Sequence, residues 1–218
     1  MAGRPNDGTM LVLGDAHADD PDNREALSAA YAASDADRAL QLGDLLHYDL
    51  PAPTWFVAGN NEEFDRIEAL RAGDPAGASN LTLLARETAT VDGVVVGGLS
   101  GNHAPTRFER DREALVGERR RHFVRDDVDR AAAFDADVML FHEAPHGLVE
   151  YETYDPGCRH VDRVIEAVDP ELCLVGHHHT HAETAFRGVP VVALDPVWES
   201  YYELDPETLS LERFDAPL

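Results

Sequence analysis

Apolar residues fall into short, nearly unbroken runs along this chain, and the polar residues after those runs are of a restricted chemical kind. Met10–Leu13 leads into Gly14-Asp15-Ala16-His17, Ala39–Leu42 into Gly43-Asp44, Trp55–Ala58 into Gly59-Asn60-Asn61-Glu62, and Leu172–Val175 into Gly176-His177-His178-His179. An apolar run of four to eight residues bounded by turn formers reads as a strand buried on both faces. Each of these strands is therefore expected to end in a carboxylate, an amide or an imidazole. Val138–Phe141 is a fifth run of the same kind, ending in His142.

Helical patterns alternate with the strands. Asp19-Asp20-Pro21 supplies an N-cap and a proline at the first helical position, which predicts a helix to about Ala33 with Leu27, Ala30 and Tyr31 toward a sheet. A second helix is expected from Glu62 to about Arg71, and another from about Arg159 to Val168. Such alternation predicts parallel pairing in an α/β fold, where sites form at the carboxyl ends of strands. From Leu81 the pattern turns to strands alone: 81–84, 88–91 and 94–99, the last two joined across Asp92-Gly93. Four more close the chain, at 182–187, 189–194, 198–203 and 209–214. Arg107–Phe134 is charged, and Val116, Phe123, Val124, Val128 and Ala131 stand at helical spacing, which predicts a long helix. Its arginines Arg119, Arg120, Arg121 and Arg125 read as a solvated face rather than as phosphate ligands.

At 218 residues, with no Pro/Gly/Ser-rich linker, the chain is expected to form a single domain over 1–218. Charge changes the picture more than length does. The formal net charge is -24, and all 18 cations are arginine. Self-repulsion on this scale destabilises a compact state unless salt screens it, so the composition points to a halophile's surface. It also disfavours nucleic acid as a partner, because no basic face is present to displace counterions from phosphates. Cys158 and Cys173 lack metal-type spacing and read as free thiols. No apolar run is long enough to span a bilayer and the first residues do not resemble a leader, so the expectation is a cytoplasmic protein without membrane contact.

A lone Gly-Asp after a strand is ordinarily a tight turn. In sequence, however, Asp15-x-His17, Gly43-Asp44, Gly59-Asn60, His142 and Gly176-His177-x-His179 resemble the calcineurin-like metallophosphoesterase superfamily, in particular its small prokaryotic phosphodiesterases. The resemblance runs from Leu11 to about Glu183. It implies a four-layer α/β/β/α sandwich of two mixed β-sheets with a dimetal site at the strand exits. It also implies one metal on Asp15, His17, Asp44 and His179 and a second on Asp44, Asn60, His142 and His177, with Asp44 shared. The residue types agree: imidazole, carboxylate and amide oxygen suit Mn, Fe, Zn or Ni, with Mn preferred. A shared carboxylate keeps two cations about 3.5 to 4 Å apart, where they activate a bridging water to attack phosphorus and carry the developing charge.

The sequence departs from that pattern at one position. Where the family usually has a histidine that protonates the leaving group, this chain has Asn61. An amide is no general acid, and proton transfer of that kind contributes about 10² to 10⁴ in rate. The substitution points toward esters whose leaving group needs no proton, hence a phosphodiester rather than a monoester, on a small phosphate-ester substrate. His103, in the Gly-rich turn after Val94–Leu99, is the candidate replacement, and its plain alternative is a surface loop histidine. His146, His178 and His181 lie close in sequence to the ligands, and Trp55 and Trp198 read as packing residues. The rival functions are a monoesterase of the same fold, a metal-binding scaffold without catalysis, and an RNA-processing enzyme, which the charge disfavours. Substrate choice is expected to lie in loops 45–53, 100–107 and 148–156.

Overall fold

The computed structural model describes residues 8–74 and 80–217. Two six-stranded sheets pack face to face. Strand β1 (Met10–Leu13) is followed by helix α1 (Pro21–Ala33), β2 (Ala39–Gln41), β3 (Thr54–Phe56), α2 (Phe64–Arg71) and β4 (Leu81–Leu83). Then come β5 (Ala89–Val91), β6 (Val94–Leu99), α3 (Arg125–Ala131), β7 (Val138–Phe141), α4 (Arg159–Val168) and β8 (Leu172–Val175). The chain closes with β9 (Ala182–Phe186), β10 (Val189–Ala193), β11 (Ser200–Leu204) and β12 (Leu211–Asp215). The first sheet runs β12-β11-β1-β2-β3-β4 and the second β5-β6-β7-β8-β10-β9.

Alternation along each strand builds the layers. Met10 and Val12 of β1 face the second sheet and pack with Val96, Val138, Leu140, Leu172 and Leu174. Their neighbours Leu11 and Leu13 face outward against Leu27 and Ala30 of α1 and Ile67 of α2. On the opposite side, Met139, Phe141, Cys173 and Val175 cover Val128 of α3 and Val161, Val164 and Ile165 of α4. Strands with a helix or sheet on each face are buried throughout, which is why they read as apolar runs rather than alternating ones. The result is the expected four-layer α/β/β/α sandwich of two mixed sheets. Cys158 and Cys173 are buried free thiols, and among the described residues no helix is long and apolar enough to cross a membrane.

Local signals hold in detail. Asp20 caps α1 by accepting from the Asp22 backbone at 2.9 Å, ahead of Pro21. β5 and β6 pair antiparallel across Asp92-Gly93, both at positive φ.

The long helix expected over 107–134 does not form. Only Arg125–Ala131 is α-helical, and the chain before it makes two 3₁₀ turns at Arg112–Ala114 and Gly117–Arg121. Gly117, at φ +57, breaks the register, and arginine side chains satisfy the local carbonyls instead. Arg112 donates to the carbonyls of Arg120 (3.1 Å) and His122 (2.8 Å), and Arg120 to that of Gly117 (3.1 Å). The apolar spacing was sound for Phe123, Val124, Val128 and Ala131, all buried, but Val116 is 65% exposed.

Candidate metal centre

Parallel register brings the candidate ligands together. Leu13, Gln41 and Phe56 lie in register across β1, β2 and β3, so the exits carrying Asp15 and His17, Asp44, and Asn60 and Asn61 are neighbours. Phe141 and Val175 do the same across β7 and β8 for His142 and for His177 and His179. Both sets meet at the carboxyl ends of their sheets. Gln41, buried, ties the exits of the first sheet by donating to the carbonyls of Gly14 (3.2 Å) and Gly43 (2.6 Å) and accepting from the Gly43 N–H (2.9 Å).

The approach is so close that the residues before the ligands must be small. A Cβ on Gly59 would lie 2.0 Å from the Asp44 Oδ1, and one on Gly43, at φ +101, would lie 2.5 Å from the His142 Nδ1. The ligand positions are themselves held in an unfavourable conformation. His17, Asp44, His177 and His179 all adopt positive φ, between 43 and 73°. Non-glycine residues there cost about 1 to 3 kcal/mol each and persist only where the surroundings enforce them.

Asp15, Asp44 and His142 are buried, with ligand atoms within 4.8 Å of one another. His17 Nε2 stands 3.4 Å from Asp44 Oδ2, and His179 Nε2 stands 3.3 Å from Asp15 Oδ2. His142 donates from Nδ1 to the Leu42 carbonyl at 2.8 Å, which turns Nε2 inward, 3.0 Å from the Asn60 Oδ1. The His177 ring packs 4.8 Å from that of His142, and its backbone N–H holds Asp15 at 2.7 Å. Asp15, Asp44 and His142 thus form a compact group, and His17, His179, Asn60 and His177 each lie against one of its members.

The cluster fits divalent cations. Asp15 Oδ1 is buried and accepts no hydrogen bond, an expensive arrangement for a carboxylate unless a cation takes that lone pair. Burial opposes ionisation of Asp15, yet His179, His142 and His177 around it hold its carboxyl below the usual range. Burial pushes the His177 imidazole down to about 4, which keeps it neutral as a ligand must be. Asp15, His17, Asp44 and His179 would hold one ion, and Asp44, Asn60, His142 and His177 the other.

Asn61 does something the sequence did not announce. Its backbone N–H and its side-chain Nδ2 both donate to Asp44, each at 2.7 Å, so it clamps the shared carboxylate. Glu62 is buried, and its carboxylate gathers the backbone N–H groups of Leu45 (3.2 Å) and Gly59 (3.1 Å) and the Tyr48 hydroxyl (2.5 Å). Burial raises its acid to about 7.

A cavity of about 440 Å³ opens over the cluster, lined by His17, Asn60, Asn61, Glu118 and Arg121 among others. Arg121, expected on a solvated face, brings a guanidinium to this lining and pairs with Glu118 at 2.6 Å. Trp198, expected to be mere packing, lies 6.0 Å from the His17 ring and 5.4 Å from that of His179. His103 does not join the cluster. Its ring contacts are Phe108, Phe123 and His160, its backbone N–H is held by Glu143 at 2.8 Å, and it lines a separate cavity with His146 and Arg159.

Comparison with known proteins agrees with the geometry. The calcineurin-like phosphoesterase family matches residues 8–181. No curated protein sequence matches the chain. Among solved structures, TT1561 of Thermus thermophilus is similar with a TM-score of 0.66 at 17% identity, over 96% of this chain and 99% of that one. Phosphopantetheinyl hydrolase (PptH) from Mycobacterium tuberculosis gives 0.58 at 11%, over 89% and 92%. An archaeal phosphodiesterase gives 0.51 at 11%, over 95% and 99%. At these identities the likeness is one of fold. Together with the match over residues 8–181 and the converging strand exits, it establishes that the chain belongs to the calcineurin-like phosphoesterase family of dinuclear metal-dependent phosphohydrolases.

Proposed function

We propose that this protein hydrolyses phosphodiesters, with Mn²⁺ as its working metal. The observation that carries the reading is Asn61: the residue at the leaving-group position is an amide, and its backbone N–H and its side-chain Nδ2 each donate to Asp44. With no acid there, esters with good leaving groups gain most.

When bound, two divalent cations supply Lewis acidity and an activated water. The chain's own residues set the stage for that chemistry. Asn61 fixes the orientation of Asp44, the Leu42 carbonyl selects the His142 tautomer, and Glu62 locks the loop after Asp44 to the exit of β3. Bis(p-nitrophenyl) phosphate and p-nitrophenyl phosphate, assayed with Mn²⁺ in concentrated KCl, test the preference with one leaving group. The expected result is a higher kcat/KM for the diester, by about tenfold or more. Equal or faster monoester turnover overturns it.

A further inference from the structure

Exposed large apolar side chains are few: among the described residues they are Val116, Tyr151 and Tyr154, the tyrosines 47% and 61% exposed. Single exposed apolar residues need no explanation, but these two are neighbours on the 147–157 loop. Their rings lie 5.5 Å apart, and their backbones exchange a pair of hydrogen bonds at 3.0 and 3.2 Å. The loop is also pinned. Asp155 accepts from the N–H groups of Gly147 and Gly157, each at 2.7 Å, while Leu148 and Val149 are buried beneath it. Two aromatic rings are thus held toward solvent on a preorganised support.

That support abuts the metal centre. The Tyr151 hydroxyl meets His178 Nδ1 at 3.2 Å, and the His178 ring packs 5.1 Å from that of His177, a candidate ligand. We propose that Tyr151 and Tyr154 form a stacking platform for an aromatic group esterified to the substrate's phosphate, a nucleobase or an aryl ring. The proposal rests on the phosphoesterase reading and names its substrate class. Stacking suits this protein's electrostatics. The net charge is -24, so an anionic ester gains little from the surface at large. Concentrated salt screens what attraction remains, while stacking of a ring on an aromatic face does not depend on charge.

The test measures binding of two phosphonates that cannot be hydrolysed, benzylphosphonate and cyclohexylmethylphosphonate, to the Mn²⁺-loaded protein by calorimetry. They share anchor and size and differ in aromaticity. The wild-type protein binds the benzyl compound about three- to tenfold more tightly. Tyr151→Ala and Tyr154→Ala bring that ratio toward one, whereas Tyr151→Phe, which keeps the ring and loses only the hydroxyl, retains it. Equal affinities in the wild type, or a ratio that survives both alanine variants, overturn the proposal. Bis(p-nitrophenyl) phosphate turnover measured alongside separates the two readings. Turnover without aromatic preference overturns the platform alone, and absence of both turnover and phosphonate binding overturns both.

Discussion

Gly59→Ala probes whether the metal centre depends on the close passage of two strand exits. The added Cβ would lie 2.0 Å from the Asp44 Oδ1 and 2.4 Å from its backbone N, whereas ordinary contact begins at 3.4 Å. The difference, 3.4 less 2.0, is about 1.4 Å of required displacement. Rotating the Asp44 carboxylate away breaks its two 2.7 Å bonds from Asn61, each a charge-assisted bond of about 1.5 to 3 kcal/mol. Moving the backbone instead separates β2 from β3 at their exits. Either response misplaces the carboxylate shared by both ions. A shift of about 1 Å costs about 10² in rate, and disturbed supporting contacts cost about 10- to 100-fold in metal affinity. The fold itself loses about 1 to 3 kcal/mol, the usual cost of overpacking. Mn²⁺ affinity by calorimetry, diester turnover and thermal melting of the metal-free protein report these separately. Gly8→Ala, with nothing within 4 Å of its Cβ, is the control. Wild-type metal affinity and wild-type turnover in Gly59→Ala refute the reasoning.

Asn61→His restores a proton donor at the leaving-group position, so hydrolysis of alkyl esters rises relative to aryl esters, by up to about 10²; an unchanged alkyl-to-aryl ratio contradicts this. His160 packs 3.8 Å from the Phe108 ring and 4.7 Å from that of His103, and burial, with His103 and Arg159 beside it, pushes its imidazole down to about 4 from 6.5. The unfolded chain takes up that proton first, so stability is lost as pH falls from 6.5 towards 4, by at most about 3 kcal/mol. His160→Phe flattens this part of the pH profile in urea unfolding of the metal-free protein, and an unaltered slope counts against the assignment. With a net charge of -24 and no lysine, Tm rises with KCl concentration well beyond the range where isolated surface pairs are screened. A Tm that falls or stays level contradicts the halophilic reading.

The parts of the site that the sequence made legible are those set by strand exits. Period and turn chemistry place Asp15, Asp44, His142 and His177 directly after buried runs, and parallel pairing brings such exits together without further information. What stayed hidden depends on tertiary contact. Nothing in the residue order says that Asn61 turns its amide back onto Asp44, because that bond spans two neighbouring strands. Trp198 reaches His17 and His179 only because β11 lies beside β1. The 107–124 stretch misled for a local reason. Its apolar spacing is helical, but Gly117 and arginines bonded to nearby carbonyls favour 3₁₀ turns, which carry Arg121 to the cavity. His103 shares a Gly-rich turn with the strand exit before it, yet the aromatic cluster of Phe108, Phe123 and His160 holds its ring elsewhere.

The most direct test of the account counts metal ions and ties them to turnover. Mn²⁺ titration of the metal-free protein, with bis(p-nitrophenyl) phosphate hydrolysis followed at each step, is predicted to show about two ions per chain and activity that saturates with the second. Asp44→Asn, which weakens the ligand shared by both ions, is predicted to lose both together. One ion or none at saturation, or hydrolysis that persists in chelator and in Asp44→Asn, would contradict the dimetal centre.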